Sequence, residues 1–182
     1  MIKLYGGARS RASIVRWYLE ELGIPYEFVL LNMATGEHLQ TEYLKINPFG
    51  KVPAIVDGDF RLFESGAILL YLNQKYSQTK LSLEQQAIYT QWTLFANATI
   101  GPGIFNESSR ERELPKLMNP LNQTLSSHPY LLGDEFTVVD VAVGSILNYI
   151  PLLLKLDLSA YPAIANYIKL LSARPAFKKG MS

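Results

Sequence analysis

"NPFGKVPAIVDGDFRLFESGAILLYL", residues 47–72, carries the punctuation from which the fold is read. Pro53 stands at the head of an apolar run, where a proline gives up a backbone donor and weakens any ladder around it. Either it simply opens a strand, or the backbone of Val52 before it is reserved for something other than a neighbouring strand. Within "PAIVDGDFRLF" two apolar runs flank Asp57-Gly58-Asp59, the turn signature of an antiparallel hairpin. "ESGAILLYLNQKY" then sets Ile68, Leu69, Leu72 and Tyr76 on one side of a helix.

Working outward, "IKLYG" reads as a short strand and "SIVRWYLEELG" as a helix ending at Gly23. "YEFVLL" reads as a second strand and "GEHLQTEYLKI" as a short helical turn closed by "NPFG". A strand, helix and strand of these lengths form a βαβ unit, which requires a parallel pair. The order βαβαββα over residues 1–78 is an α/β, thioredoxin-like arrangement. "SQTK" at 77–80 is a short polar link, and Ser82 with Gln85 forms a capping box that opens a new segment. From 82 to 182 the periods are helical only, with helices expected over 82–107, 109–127, 137–154 and 161–174. The second domain is therefore expected to be all-α.

With 17 basic and 16 acidic residues and a net charge of +1, the chain has no electrostatic footprint for nucleic acid or an anionic membrane. Its longest apolar segment, "VVDVAVGSILNYIPLLLKL", is interrupted by Asp140, Asn148 and Pro151 and reads as a buried helix rather than a membrane span. "MIKLYGG" runs into the first strand with no secretory leader, so a cytoplasmic protein is expected. There are no cysteines, so the chain can form no disulfide and perform no thiol catalysis of its own. His38 and His128, the only histidines, are too scattered for a zinc site, and no metal is expected. Sulfur chemistry, if any, arrives with a ligand.

Three stretches together resemble the cytosolic glutathione transferases over essentially the whole chain. "NPFGKVPAIVDGDFRLFESGAILLYL" is similar to that family's central segment, "LYGGARSRASIVRWYLEELGIPYE" to its first βα unit, and "YLLGDEFTVVDVAV" to the signature of its C-terminal domain. The last also has a local structural reading: Thr137 is an N-cap, Asp140 lies three residues on, and Phe136 is placed to staple onto Val141. The resemblance implies a cis Pro53 and an outward-facing Val52 whose N–H and C=O pair with the cysteine backbone of glutathione, much as an added strand would. It implies that Ser65, at a helix start, binds the γ-glutamyl carboxylate with Glu64 near the ligand's amine; Ser65 also suits an ordinary N-cap. Lys51 and His38 correspond to residues holding the glycine end.

Thiolate formation from a thiol of pKa about 8.5 needs only one or two good donors. The candidates are Ser10 at the mouth of the first helix, Tyr5 at the end of the first strand, and the guanidinium of Arg11, in that order. Ser10 equally suits an N-cap. Trp92, Phe95, Ile100 and Phe105 of "TQWTLFANATIGPGIF" offer an apolar wall for a small hydrophobic electrophile, and the short helical domain implies an open acceptor site. The resemblance thus implies a detoxifying glutathione transferase, with glutathione as co-substrate and no other cofactor. A homodimer is expected through surfaces such as Phe49 and Phe63. The alternative is a non-catalytic transferase-like binding module. A glutaredoxin-type oxidoreductase shares the fold but would need a cysteine.

Overall fold

The computed structural model describes residues 1–181, which divide into two compact units. In the first, β1 (Ile2–Gly6) buries Ile2 and Leu4, the alternation of a strand with one face in the core. α1 (Ala12–Leu22) follows, burying Ile14, Val15, Trp17, Tyr18 and Leu19, and ends at Gly23. β2 (Tyr26–Leu30) runs parallel to β1. A 3₁₀ turn at Glu37–Leu39 and the short α2 (Thr41–Leu44) lead to β3 (Ala54–Asp57) and β4 (Phe60–Phe63). β3 is antiparallel to both β1 and β4, and the sheet order is β2-β1-β3-β4. α3 (Ser65–Tyr76) then covers the sheet with Ile68, Leu69 and Leu72. This is the thioredoxin-like order expected from the sequence.

The hairpin is tied to α3 by one carboxylate. Asp57 Oδ2 accepts from Lys75 Nζ at 2.6 Å, Tyr71 OH at 2.9 Å and Tyr76 OH at 3.0 Å. Burial works against the charge, but these three donors outweigh it and hold the carboxyl below its usual value. Tyr18 OH, donating to Asn73 Oδ1 at 2.8 Å, likewise ties α1 to α3.

In the second unit, Leu81–Arg174, α4 (Leu83–Leu94) is opened by the Ser82–Gln85 capping box. A π-helical turn at Phe95–Ile100, α5 (Gly101–Phe105), α6 (Glu107–Ser127) and α7 (Val138–Tyr149) follow. A second π-helical turn at Ile150–Leu154 precedes α8 (Pro162–Ser172). The unbroken helices expected over 82–107 and 137–154 are thus each interrupted. Pro102 and Pro151, which lack the amide hydrogen that an α-helical ladder needs, lie at the two breaks. Thr137 and Asp140 form the expected capping box. Asp140, fully buried in this unit, accepts from Leu131 N, Thr137 N, Thr137 Oγ1 and Tyr167 OH. Phe136 meets the Tyr130 ring at 5.8 Å and lies 3.7 Å beneath the Arg174 guanidinium.

The units divide at Lys80–Leu81, but the expectation that the helical domain runs on to 182 is corrected. α9 (Pro175–Gly180) belongs to the first unit. Phe177 meets buried Trp17 edge-on at 4.8 Å, Lys179 Nζ pairs with Glu20 Oε2 at 2.6 Å, and Arg16 donates to the Lys179 carbonyl at 3.3 Å. Gly180 comes so close to the Trp17 backbone that any side chain there would overlap it. Among the described residues, no helix is long and apolar enough to cross a membrane.

Candidate functional site

Register decides which residues share an end of the sheet. Tyr5 of β1 is paired with Ala54 of β3, and Ala54 with Phe63 of β4. The loop after β1, the segment Val52-Pro53 before β3, and Glu64-Ser65 after β4 therefore leave the sheet at the same end. Tyr5, Ser10 and Arg11 are thereby grouped with Val52, Pro53, Glu64 and Ser65.

The Val52–Pro53 bond is cis. Val52 is half-buried and stands outside the ladder, which begins at Ala54; among the described residues, neither its N–H nor its C=O takes a partner. The preceding carbonyl, that of Lys51, is doubly held: it accepts from Tyr43 OH and from Asn47 Nδ2, the latter at 2.7 Å. Both donors are buried, at 4% and 1% exposure. Burial pushes the Tyr43 phenol up to about 12, so it keeps its proton and donates at any physiological pH. Asn47 also accepts from Phe49 N at 3.1 Å and, through its carbonyl, from Gly50 N at 3.0 Å. Gly50 has φ 60°, and a Cβ there would lie 2.8 Å from Leu39 Cδ2 and 3.1 Å from the His38 carbonyl, so the turn requires glycine twice over. This packing sets the His38 backbone carbonyl against Gly50, the residue before Lys51. His38 is half-buried, with Nδ1 buried and unpartnered among the described residues, and Lys51 is exposed.

Glu64, the N-cap of α3, has φ 70° and ψ 117°, a backbone conformation that costs a non-glycine residue about 1–3 kcal/mol. No side chain caps this helix. Ser65 is 4% exposed, and its hydroxyl has no partner among the described residues. The first amides of α3 and the Ser65 hydroxyl thus form a set of unused donors at the positive end of the helix dipole, a setting for a carboxylate.

Of the thiol-activating candidates, Ser10 is the most engaged. Its Oγ donates to the Gly7 carbonyl at 3.0 Å and accepts from Gly7 N at 3.1 Å and Ala12 N at 3.3 Å. The N-cap position itself is taken by Arg11, whose side chain makes no cap bond, while Ser10 serves the first amide of α1 from one residue earlier. Arg11 is exposed. Tyr5 is half-buried with its ring 5.8 Å from that of Tyr43.

Trp92, Phe95, Ile100 and Phe105 all lie in the helical unit. Trp92 and Phe95 are half-buried and meet edge-to-face at 5.7 Å, and Phe105 is half-buried. Ile100 is fully buried, so it fills the core and is no part of an exposed wall, contrary to expectation. Phe49 is 68% exposed and meets Phe63 edge-on at 5.4 Å. Sequence reasoning missed Tyr43 and Asn47. The signal for Asn47 was its place at the head of the "NPFG" turn, where an Asn side chain commonly bonds nearby backbone; nothing local marked Tyr43.

Residues 1–74 match the family model of the glutathione S-transferase N-terminal domain, and residues 104–179 that of its C-terminal domain. Glutathione S-transferase PARB of Nicotiana tabacum is 32% identical, over 99% of this chain and 97% of its own. The disulfide-bond oxidoreductase YfcG of Escherichia coli is 30% identical, over 97% and 92%. Among solved structures, a Phanerochaete chrysosporium glutathione transferase, URE2P6, in complex with oxidised glutathione superposes with a TM-score of 0.87 at 29% identity, covering 99% of this chain and 94% of that one. A Burkholderia graminis glutathione transferase with two glutathione molecules bound per subunit gives 0.86 at 28%, covering 99% and 87%. The chain belongs to the glutathione S-transferase family.

Proposed function

We propose that the protein binds glutathione at the end of its sheet and presents the thiol, as thiolate, to a small hydrophobic electrophile. One observation carries the reading: the Val52 backbone before cis Pro53 and the Ser65 hydroxyl at the start of α3, both without a partner among the described residues, stand at the same end of the sheet. A γ-glutamyl tripeptide suits both, its cysteine backbone pairing with Val52 and its α-carboxylate meeting the α3 amides, with Glu64 near its amine. Lys51 and His38 take the glycine carboxylate. A donor among Ser10, Tyr5 and Arg11 lowers the thiol pKa, each unit requiring about 1.36 kcal/mol of preference for the thiolate. The thiolate sulfur then bonds to the electrophilic carbon and the leaving group departs with the electron pair. No metal or organic cofactor enters the reaction. The protein works in the cytoplasm in detoxification, as a homodimer in which exposed Phe49, backed by Phe63, seats against a second copy.

A second reading has specific support in the relative named as a disulfide-bond oxidoreductase and the neighbour holding two glutathione molecules. Here one glutathione thiolate attacks a disulfide sulfur, the other sulfur leaves as thiolate, and a second glutathione resolves the mixed disulfide to oxidised glutathione. No protein cysteine is needed. The two are separated by assaying the chain with glutathione and either 1-chloro-2,4-dinitrobenzene or hydroxyethyl disulfide. Turnover of the aryl halide supports the first, turnover of the disulfide alone the second, and glutathione retention with neither supports a binding module. A chain not retained on immobilised glutathione overturns all three.

A further inference from the structure

We infer that Tyr43 and Asn47 are positioning residues that aim the Val52 N–H at the ligand, an inference that rests on the glutathione reading above. The Lys51–Val52 bond is trans, since the only cis bond among the described residues is Val52–Pro53. In a trans peptide the C=O and the following N–H lie in one plane and point in opposite directions. Whatever fixes the Lys51 carbonyl therefore fixes the Val52 N–H half a turn away. Two donors fix it, from two different positions: the Tyr43 hydroxyl at the end of α2, and the Asn47 amide in the turn after it.

Both donors are themselves held. Tyr43 is buried with its ring against Tyr5, and Asn47 is locked by its bonds to Phe49 N and Gly50 N. The carbonyl is thus drawn towards buried side chains, and the opposite face of the same plane presents Val52 N–H, with no protein partner among the described residues. A loop amide free to rotate would lose conformational entropy on meeting a ligand carbonyl; here folding has already fixed it. The group Val52 N–H would meet is the cysteinyl carbonyl of glutathione, whereas the γ-glutamyl end is served by α3. Tyr43 and Asn47 then act on one contact of the ligand and not on the others.

That selectivity is the test. Binding of glutathione, of γ-glutamylcysteine amide, which lacks only the glycine and is expected to follow glutathione, and of γ-glutamylcysteamine, which lacks the cysteinyl carbonyl as well, is measured by displacement of a fluorescent S-substituted glutathione from the full chain. Tyr43→Phe keeps the ring and removes only the hydroxyl. It is expected to weaken glutathione about three- to tenfold, the scale of one neutral hydrogen bond, and γ-glutamylcysteamine less than about twofold. Asn47→Ala is expected to show the same pattern; should it not fold, Tyr43→Phe stands alone. Equal weakening of glutathione and γ-glutamylcysteamine would mean general loosening and would overturn the inference, as would no change in either. Ser65→Ala is expected to weaken all three ligands alike, which tests the site separately. A wild-type chain that binds none of them overturns the site and the inference together.

Discussion

Ser10 and Gly7 bond to each other in both directions, Ser10 Oγ donating to the Gly7 carbonyl at 3.0 Å and accepting the Gly7 amide at 3.1 Å. The loop between β1 and α1 is thereby closed on itself by the hydroxyl proposed to activate the thiol. To serve a thiolate, Ser10 must turn its proton from Gly7 to sulfur, a rotation about Cβ–Oγ that also turns the lone pairs accepting from Gly7 N and Ala12 N, so the loop readjusts with it. A charged acceptor draws the stronger hydrogen bond, which favours that turn once the thiolate forms.

The rate profile follows. The thiolate is the nucleophile, so kcat/KM rises with pH through the ionisation of the bound thiol. Ser10→Ala is expected to move that ionisation up towards about 8.5 and to depress the rate at neutral pH, with Ser10→Thr restoring much of it. Tyr5→Phe and Arg11→Ala are expected to leave the ionisation in place. A shift with either of those variants, and none with Ser10→Ala, transfers the role.

Ser65→Ala removes an unused hydroxyl at a helix start without removing any internal bond among the described residues. Retention on immobilised glutathione should weaken by about 1–3 kcal/mol, the cost of a lost hydrogen bond to a charged group, while the melting temperature is held. Unchanged retention would remove Ser65 from the site.

Asp57 carries a pH prediction. Although burial opposes its charge, the bonds from Lys75, Tyr71 and Tyr76 lower its folded pKa below the usual 3.8. A depressed carboxyl contributes stability above its unfolded pKa and loses it as pH falls through the folded one. Asp57→Asn should therefore lower the melting temperature most at neutral pH. The gap to wild type should narrow below pH 3.8 and close at lower pH, as followed by calorimetry. A gap independent of pH would assign the effect to shape alone.

Asp140 answers four donors inside the helical unit, with Tyr167 OH and Thr137 N each at 2.8 Å. Asp140→Ala strands buried donors as well as uncapping α7, and is expected to cost about 3–5 kcal/mol by denaturant unfolding. A loss below about 1 kcal/mol would mean that water or a rearranged turn replaces the carboxylate.

The proposed dimer is decided by light scattering at micromolar concentration. The expected mass is about twice the 20.5 kDa of the chain, falling towards the single-chain value on Phe49→Asp. A wild-type chain that scatters as a monomer rejects the interface.

What the sequence determined by itself was local. The Ser82–Gln85 and Thr137–Asp140 boxes, the Asp57-Gly58 turn and the stop at Gly23 act within three or four residues, so residue type and spacing specify them before any tertiary contact exists. The topology was legible for a related reason: a parallel pair needs a long crossover and a hairpin needs only a turn, and both lengths are written in the chain. Tertiary structure alone decided that Tyr43 reaches the Lys51 carbonyl, that Ile100 belongs to the core, and that α9 closes the first unit rather than the second. Lys179 finds Glu20 across 159 residues, and Ser10 spends its hydroxyl on Gly7 instead of standing open. A short helix or a single hydroxyl has several partners of suitable chemistry, and only packing in three dimensions determines which one lies within reach.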